Sequence, residues 1–126
     1  MKTIIKTDKA PAPIGPYNQA VLSGNTLYAS GQIAINPADG SLITGDITSE
    51  ATQVMKNIKA ILDAAGMTFE NVVKTSIFLK NMNDFAKVNT VYGSYFNEST
   101  APARETVEVG NLPKFVNVEI SVIAVK

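Results

Sequence analysis

At 126 residues the chain has the size of one domain, long enough to bury roughly two-thirds of its unfolded surface without disulfide or metal staples. Eleven basic residues balance eleven acidic ones and no Lys/Arg run occurs, so the electrostatic footprint of a nucleic-acid binder is missing. The absence of cysteine and histidine removes disulfides, thiolate nucleophiles, Ser-His and Cys-His pairs and most zinc sites, leaving carboxylates, Tyr, Lys, Arg, hydroxyls and backbone for any catalysis.

Mean hydropathy is +0.09, slightly apolar for a small monomer, which leans towards an oligomer. Met1 to Asp8 gathers charge too early for a signal-peptide core, and no apolar run approaches the ~18 residues of a membrane span. The expectation is a single domain over 1–126, soluble and cytoplasmic, with neither membrane nor nucleic acid as partner.

In chain order, Thr3 to Thr7 reads as a short strand. Pro11-Ala12-Pro13-Ile14-Gly15-Pro16 excludes regular structure, because its prolines lack donors and fix φ. It delivers Tyr17, an aromatic with a polar tip on a stiff loop. Asn18 to Ser23 and Thr26 to Ile35 read as strands around a Gly24-Asn25 turn. Gly31, inside Ser30-Gly31-Gln32, marks a bulge or a close backbone approach. Asn36 to Gly40 is a turn, and Ser41 to Thr44 a stub of edge strand.

Ile47, Ala51, Val54, Met55, Ile58, Ile61, Leu62 and Ala65 recur at helical spacing and predict a helix lying on a sheet. Thr48 or Ser49 is placed to cap it, Glu50 suits the positive end of its dipole, and Gly66 stops it. Nothing in this helix signals function. Val72 to Leu79 is a strand. Asn83 or Asp84 caps a second helix to about Asn97, with Phe85, Val88, Tyr92, Tyr95 and Phe96 inward and Asn89 at the stripe's edge.

Ala101 to Val109 and Val116 to Val125 read as strands joined through Gly110 and Pro113, hence antiparallel neighbours. Matching polar to polar face in a hairpin centred between Asn111 and Leu112 puts Arg104 directly across from Glu119. Such a pair is either an exposed cross-strand ion pair or a small-anion site, Arg104 offering a planar fork to a carboxylate and Glu119 orienting a water. The element order is βββαβαββ, an α+β domain with one mixed sheet and both helices on one face. The uncovered face, expected to carry Arg104 and Glu119, calls for a partner, most simply another copy.

The residues that carry a family resemblance are Ala10 to Ala20, Ser30-Gly31-Gln32-Ile33, Phe85 to Asn89, Pro102-Ala103-Arg104, Val107-Glu108-Val109, Leu112-Pro113-Lys114 and Val118-Glu119-Ile120. Together they are similar to the RidA (YjgF) family of imine deaminases, nearly end to end. The resemblance implies a chorismate-mutase-like fold forming a homotrimer with clefts between subunits. It also implies cofactor-free and metal-free hydrolysis of 2-imino acids and their enamines (2-iminobutanoate, 2-iminopropanoate) to 2-keto acids and ammonia, a metabolite damage-control activity. The family's site residues map onto Tyr17, Ser30, Gly31, Asn89, Arg104 and Glu119.

Thr106 stands where many members of the family carry Cys. It retains backbone groups for substrate and removes a thiol-dependent role. In this reading Arg104 clamps the carboxylate, and Glu119, kept ionised by that Arg, activates water. Tyr17, Ser30 or water protonates the leaving amine, and Gly31, Asn89 and Thr106 complete the substrate site. The alternatives are a non-catalytic regulator binding 2-keto acids or amino acids, an RNA-acting protein, and a mutase. Neutral charge speaks against the RNA reading, and the single convincing Arg against the mutase.

Overall fold

The apolar stripe forms helix α1 (Ile47–Ala64) in the computed structural model, which describes all residues Met1–Lys126. Val54, Met55, Ile58, Ile61 and Leu62 are at most 1% exposed, each burial favouring folding by about 1.5–3 kcal/mol. The cap is Asp46, rather than Thr48 or Ser49: its carboxylate accepts the Ser49 backbone N–H at 2.9 Å and the Ser49 hydroxyl at 2.8 Å. The Ser49 backbone N–H first, then its hydroxyl, hold the Asp46 carboxyl below the usual carboxylate range. Gly66, at φ 71, leaves the helix in the left-handed conformation glycine favours.

Six strands form one mixed sheet: β1 (Lys2–Ile5), β2 (Ala20–Ser23), β3 (Thr26–Ala29), β4 (Val72–Leu79), β5 (Ala103–Glu108) and β6 (Val118–Val125). Their spatial order is β1-β2-β3-β6-β4-β5. The β2–β3 hairpin turns at Gly24, φ 60, as its sequence predicts. The third strand ends at Ala29, short of Ile35, and only Gln32 rejoins the sheet through a bridge to Ile120. Helix α2 (Phe85–Gly93) also stops early, at Gly93 and not near Asn97. Tyr95 and Phe96 still pack on the core, but in the irregular segment that follows.

The expected hairpin of the last two strands does not form. Strand β5 pairs only with β4, in parallel, through the α2 crossover, while β6 lies between β3 and β4, antiparallel to both. Burial explains the choice. Val118, Ile120, Val122 and Ala124 of β6 are at most 3% exposed and need a strand on either side. Arg104, Glu105 and Glu108 suit a charged, exposed edge.

Register then sets the faces. Arg104 pairs with Thr75, which is fully buried on the helix side, and Glu119 pairs with Phe78 on the open side. Arg104 and Glu119 are therefore neither opposite one another nor on one face. The open face carries Glu119 alone of the two, together with Ile4, Tyr28, Val107 and Val125, all more than a third exposed.

Candidate active site

Two half-sites result, one on each side of the sheet. The first is built by β5 and α2. Arg104 is exposed, donates from Nη1 to Asn89 Oδ1 at 2.7 Å, and lies over the rings of Tyr92 at 5.0 Å and Phe85 at 5.6 Å. Asn89 and Phe85 are one helical turn apart, and Tyr92 is three residues beyond Asn89, so one face of α2 presents all three to the strand. The planar guanidinium is thus held by one nitrogen and one face, and its other N–H groups open onto a cleft lined by Gly93, Phe96, Glu98, Ala101 and Pro102. Beneath it the Tyr92 hydroxyl donates to Thr75 Oγ1 at 3.1 Å. Burial raises the Tyr92 phenol above its usual range, partly offset by Thr75 and by the charge of Arg104.

The second half-site gathers three of the other expected residues. Tyr17, Gly31 and Glu119 share a cleft with Pro11, Gln32 and Pro113. The Glu119 carboxylate rests on Gly31 so closely that a Cβ there would stand 2.6 Å from Oε2. This is the close backbone approach expected of Gly31, although the strand itself ends at Ala29. No Arg or Lys lines the cleft, and half-burial holds the Glu119 carboxyl above the usual carboxylate range. The expectation that Arg104 keeps Glu119 ionised is therefore corrected: within one chain they are separated by the sheet.

Tyr17 is half exposed; its ring covers Gly15, and its hydroxyl receives only a long 3.5 Å contact from Ile14 N–H. The Ser30 hydroxyl donates to the Asn18 carbonyl at 2.6 Å, so its proton is already engaged. Thr106 faces the helix side beside Ile77, with a buried Oγ1 that has no partner. No three acidic side chains converge to hold a metal ion.

Sequence reasoning gave Glu50 only the helix dipole and assigned no role to Gln19 or Asn57, the buried polar residues beneath the second half-site. Gln19, 3% exposed, ties down the proline loop: Oε1 accepts Thr7 N–H at 2.8 Å, and Nε2 faces the carbonyls of Thr7, Ala10 and Pro11 at 2.9–3.2 Å. Glu50 and Asn57, both fully buried, hold strand and loop backbone from α1. The signal was present: these two polar residues, seven apart, fall on the helix's apolar stripe.

Residues 7–126 match the family described as Endoribonuclease L-PSP. The chain belongs to this family, which is the RidA (YjgF) family. Among RidA relatives it is 54% identical to a RutC family protein of Pyrococcus horikoshii, over 100% of this chain and 99% of that one. It is 51% identical to the 2-iminobutanoate/2-iminopropanoate deaminase of Bos taurus, over 100% and 91%. Of solved structures, it superposes on a Rid family protein of unknown function from Yersinia pestis with a TM-score of 0.97, at 50% identity and full coverage of both chains. Escherichia coli TdcF with bound serine gives 0.92, at 41% identity and 98% coverage of each. The two helices and the mixed six-stranded sheet are thus the RidA fold.

Proposed function

We propose that this RidA protein hydrolyses 2-imino acids and their enamine tautomers, of the 2-iminobutanoate and 2-iminopropanoate class, to 2-keto acids and ammonia. The observation that carries this reading is the pair of complementary groups. One is a guanidinium with a free edge; the other is a desolvated carboxyl on a glycine floor. Similarity to mammalian proteins named for that deamination supports it.

Arg104 takes the substrate carboxylate in two charge-assisted hydrogen bonds, with Asn89 fixing its plane. Glu119 accepts a proton from water as the water oxygen bonds to the imine carbon. Starting from the protonated imine, that addition gives a neutral carbinolamine. Glu119 returns its proton to the carbinolamine nitrogen, the C–N bond breaks with its electron pair leaving on ammonia, and the hydroxyl proton passes to Glu119 as the C=O closes. A carboxyl whose pKa is raised by burial suits the return of that proton, with Tyr17 beside it and the Ser30 proton already committed. Thr106 offers backbone groups to the substrate.

The half-sites sit on opposite faces of one sheet, so the site closes between copies: Arg104, Asn89 and Thr106 from one, Tyr17, Ser30, Gly31 and Glu119 from its neighbour. A homotrimer with three clefts satisfies this and covers the exposed apolar side chains of the open face.

The test supplies 2-iminobutanoate in situ from a threonine dehydratase, with semicarbazide competing for it, and follows keto-acid release. Wild type accelerates release, whereas Arg104→Ala and Glu119→Gln separately do not. The two variants refolded together regain activity, because mixed trimers contain clefts with both residues intact. Failure of wild type to accelerate release rejects the deaminase, and failure of the mixture rejects the shared cleft. A second reading, a non-catalytic binder of 2-keto or amino acids, is favoured by the serine bound to TdcF; it predicts saturable binding without keto-acid release.

A further inference from the structure

Glu50 and Asn57 of α1 are fully buried among Ala51, Val54 and Ile58, where an apolar side chain would need no compensation. Glu50 Oε2 accepts the backbone N–H of Asn117 at 2.7 Å and of Val118 at 3.2 Å, and Oε1 accepts Asn117 Nδ2 at 2.8 Å. Asn57 Nδ2 donates to the carbonyls of Ile33 at 3.1 Å and Ile35 at 3.0 Å, while its Oδ1 receives Gln53 Nε2 at 2.9 Å.

The targets are not arbitrary backbone. Asn117 and Val118 lead directly into Glu119, and Ile33 and Ile35 follow Gly31. The two gripped segments are stitched together by Gln32 N–H to Ile120 O at 2.8 Å and Ile120 N–H to Gln32 O at 3.1 Å. The Glu119 carboxylate lies at that seam, against Gly31. Fixing two consecutive N–H groups at the entry of β6 fixes both its translation and its rotation, and a slip of one residue would turn Glu119 to the other face.

We propose that Glu50 is the positioning residue for Glu119, acting through the backbone of Asn117 and Val118, with Asn57 holding the Gly31 side of the same seat. This rests on Glu119 being the base of the proposed deamination.

Glu50→Leu keeps an apolar fill and deletes the acceptors; Glu50→Gln keeps one carbonyl oxygen for the two backbone donors. In the imine assay Glu50→Leu, folded by circular dichroism, lowers kcat about 10- to 100-fold, the range that ångström-scale misplacement produces, with KM little changed. Glu50→Gln restores most of kcat. The second readout is the 13C carboxyl titration of Glu119, whose midpoint in Glu50→Leu moves down towards the ordinary glutamate range as water reaches it. Within one chain Tyr17 is the one other titratable side chain lining that cleft and Phe78 the strand neighbour on the same face. Arg104 of the neighbouring copy faces Glu119 in the closed site, so the titration is run in the Arg104→Ala background, where the shift reports hydration. If Glu50→Leu does not fold, Glu50→Asp, which retracts the acceptors by one methylene, takes its place with the same expectations.

A folded Leu or Asp variant with wild-type kcat and an unmoved Glu119 midpoint overturns the positioning role. An inactive wild type, or a fully active Glu119→Gln, instead removes the base assignment; the Glu119 midpoint then decides the seat by itself.

Discussion

Arg104→Lys preserves the charge and removes the fork, and the structure shows what that takes away. Arg104 spends Nη1 on Asn89 at 2.7 Å and one face on Tyr92 and Phe85 at 5.0 and 5.6 Å, leaving the rest of the guanidinium free. An ammonium on a flexible stem keeps a Coulombic attraction for a carboxylate but has no plane for Asn89 to orient. It also makes one directed bond where the fork makes two. Losing one charge-assisted bond is worth about 1.5–3 kcal/mol, and losing the ring contact at an exposed site about 0.5–1 kcal/mol. The sum, about 2–4 kcal/mol, corresponds to a fall in kcat/KM of roughly 30- to 1000-fold. Stability changes by less than about 1 kcal/mol, since Arg104 is exposed and caps no buried donor.

Keto-acid release at sub-saturating imine measures the first number and a urea melt the second. Near-normal turnover in a normally folded Arg104→Lys protein would refute the carboxylate clamp, because nothing else in the cleft lined by Gly93, Phe96, Glu98, Ala101 and Pro102 is cationic.

Three further outcomes follow from the same geometry. Gly31→Ala drives a Cβ into the Glu119 carboxylate, the movable end of a side chain; deamination falls at least ~10-fold while the urea midpoint shifts little, and an active variant would show that the floor is not needed. On the proposed mechanism activity depends on the ionised form of Glu119, whose pKa burial raises and Arg104 of the neighbouring copy lowers, so kcat declines as pH falls through the Glu119 midpoint read by 13C titration; a rate that holds level through that midpoint removes Glu119 as base. Phe115 is 81% exposed at φ 58, a conformation costly for a bulky side chain, so Phe115→Gly stabilises the fold by about 0.5–1 kcal/mol after allowing for glycine's added unfolded-state entropy; a destabilised variant in a urea melt means that the ring packs against something in solution.

Local chemistry made much of this protein readable from its sequence. The apolar stripe of α1, the Gly24 turn, the β4 run and the strict alternation of β6 each arise from periodicities of 3.6 or 2, which a chain carries without reference to its neighbours. Arg104, Glu119, Gly31 and Asn89 could be singled out because a fork, a carboxylate, a glycine in a strand and a helix-edge amide have chemical meaning by themselves.

Strand partners were decided only in three dimensions. Alternation states which residues share a face but not which strand lies alongside, so β5 and β6 looked like a hairpin although β4 separates them. That one exchange sends Arg104 to the helix side with Asn89 and Tyr92, and leaves Glu119 on the open side over Gly31. Long-range burial selected it: the most apolar strand takes the centre and the most charged one the edge. Glu50 and Asn57 were hidden for the same reason. A polar residue on an apolar stripe acquires its purpose from the backbone that tertiary folding brings against it.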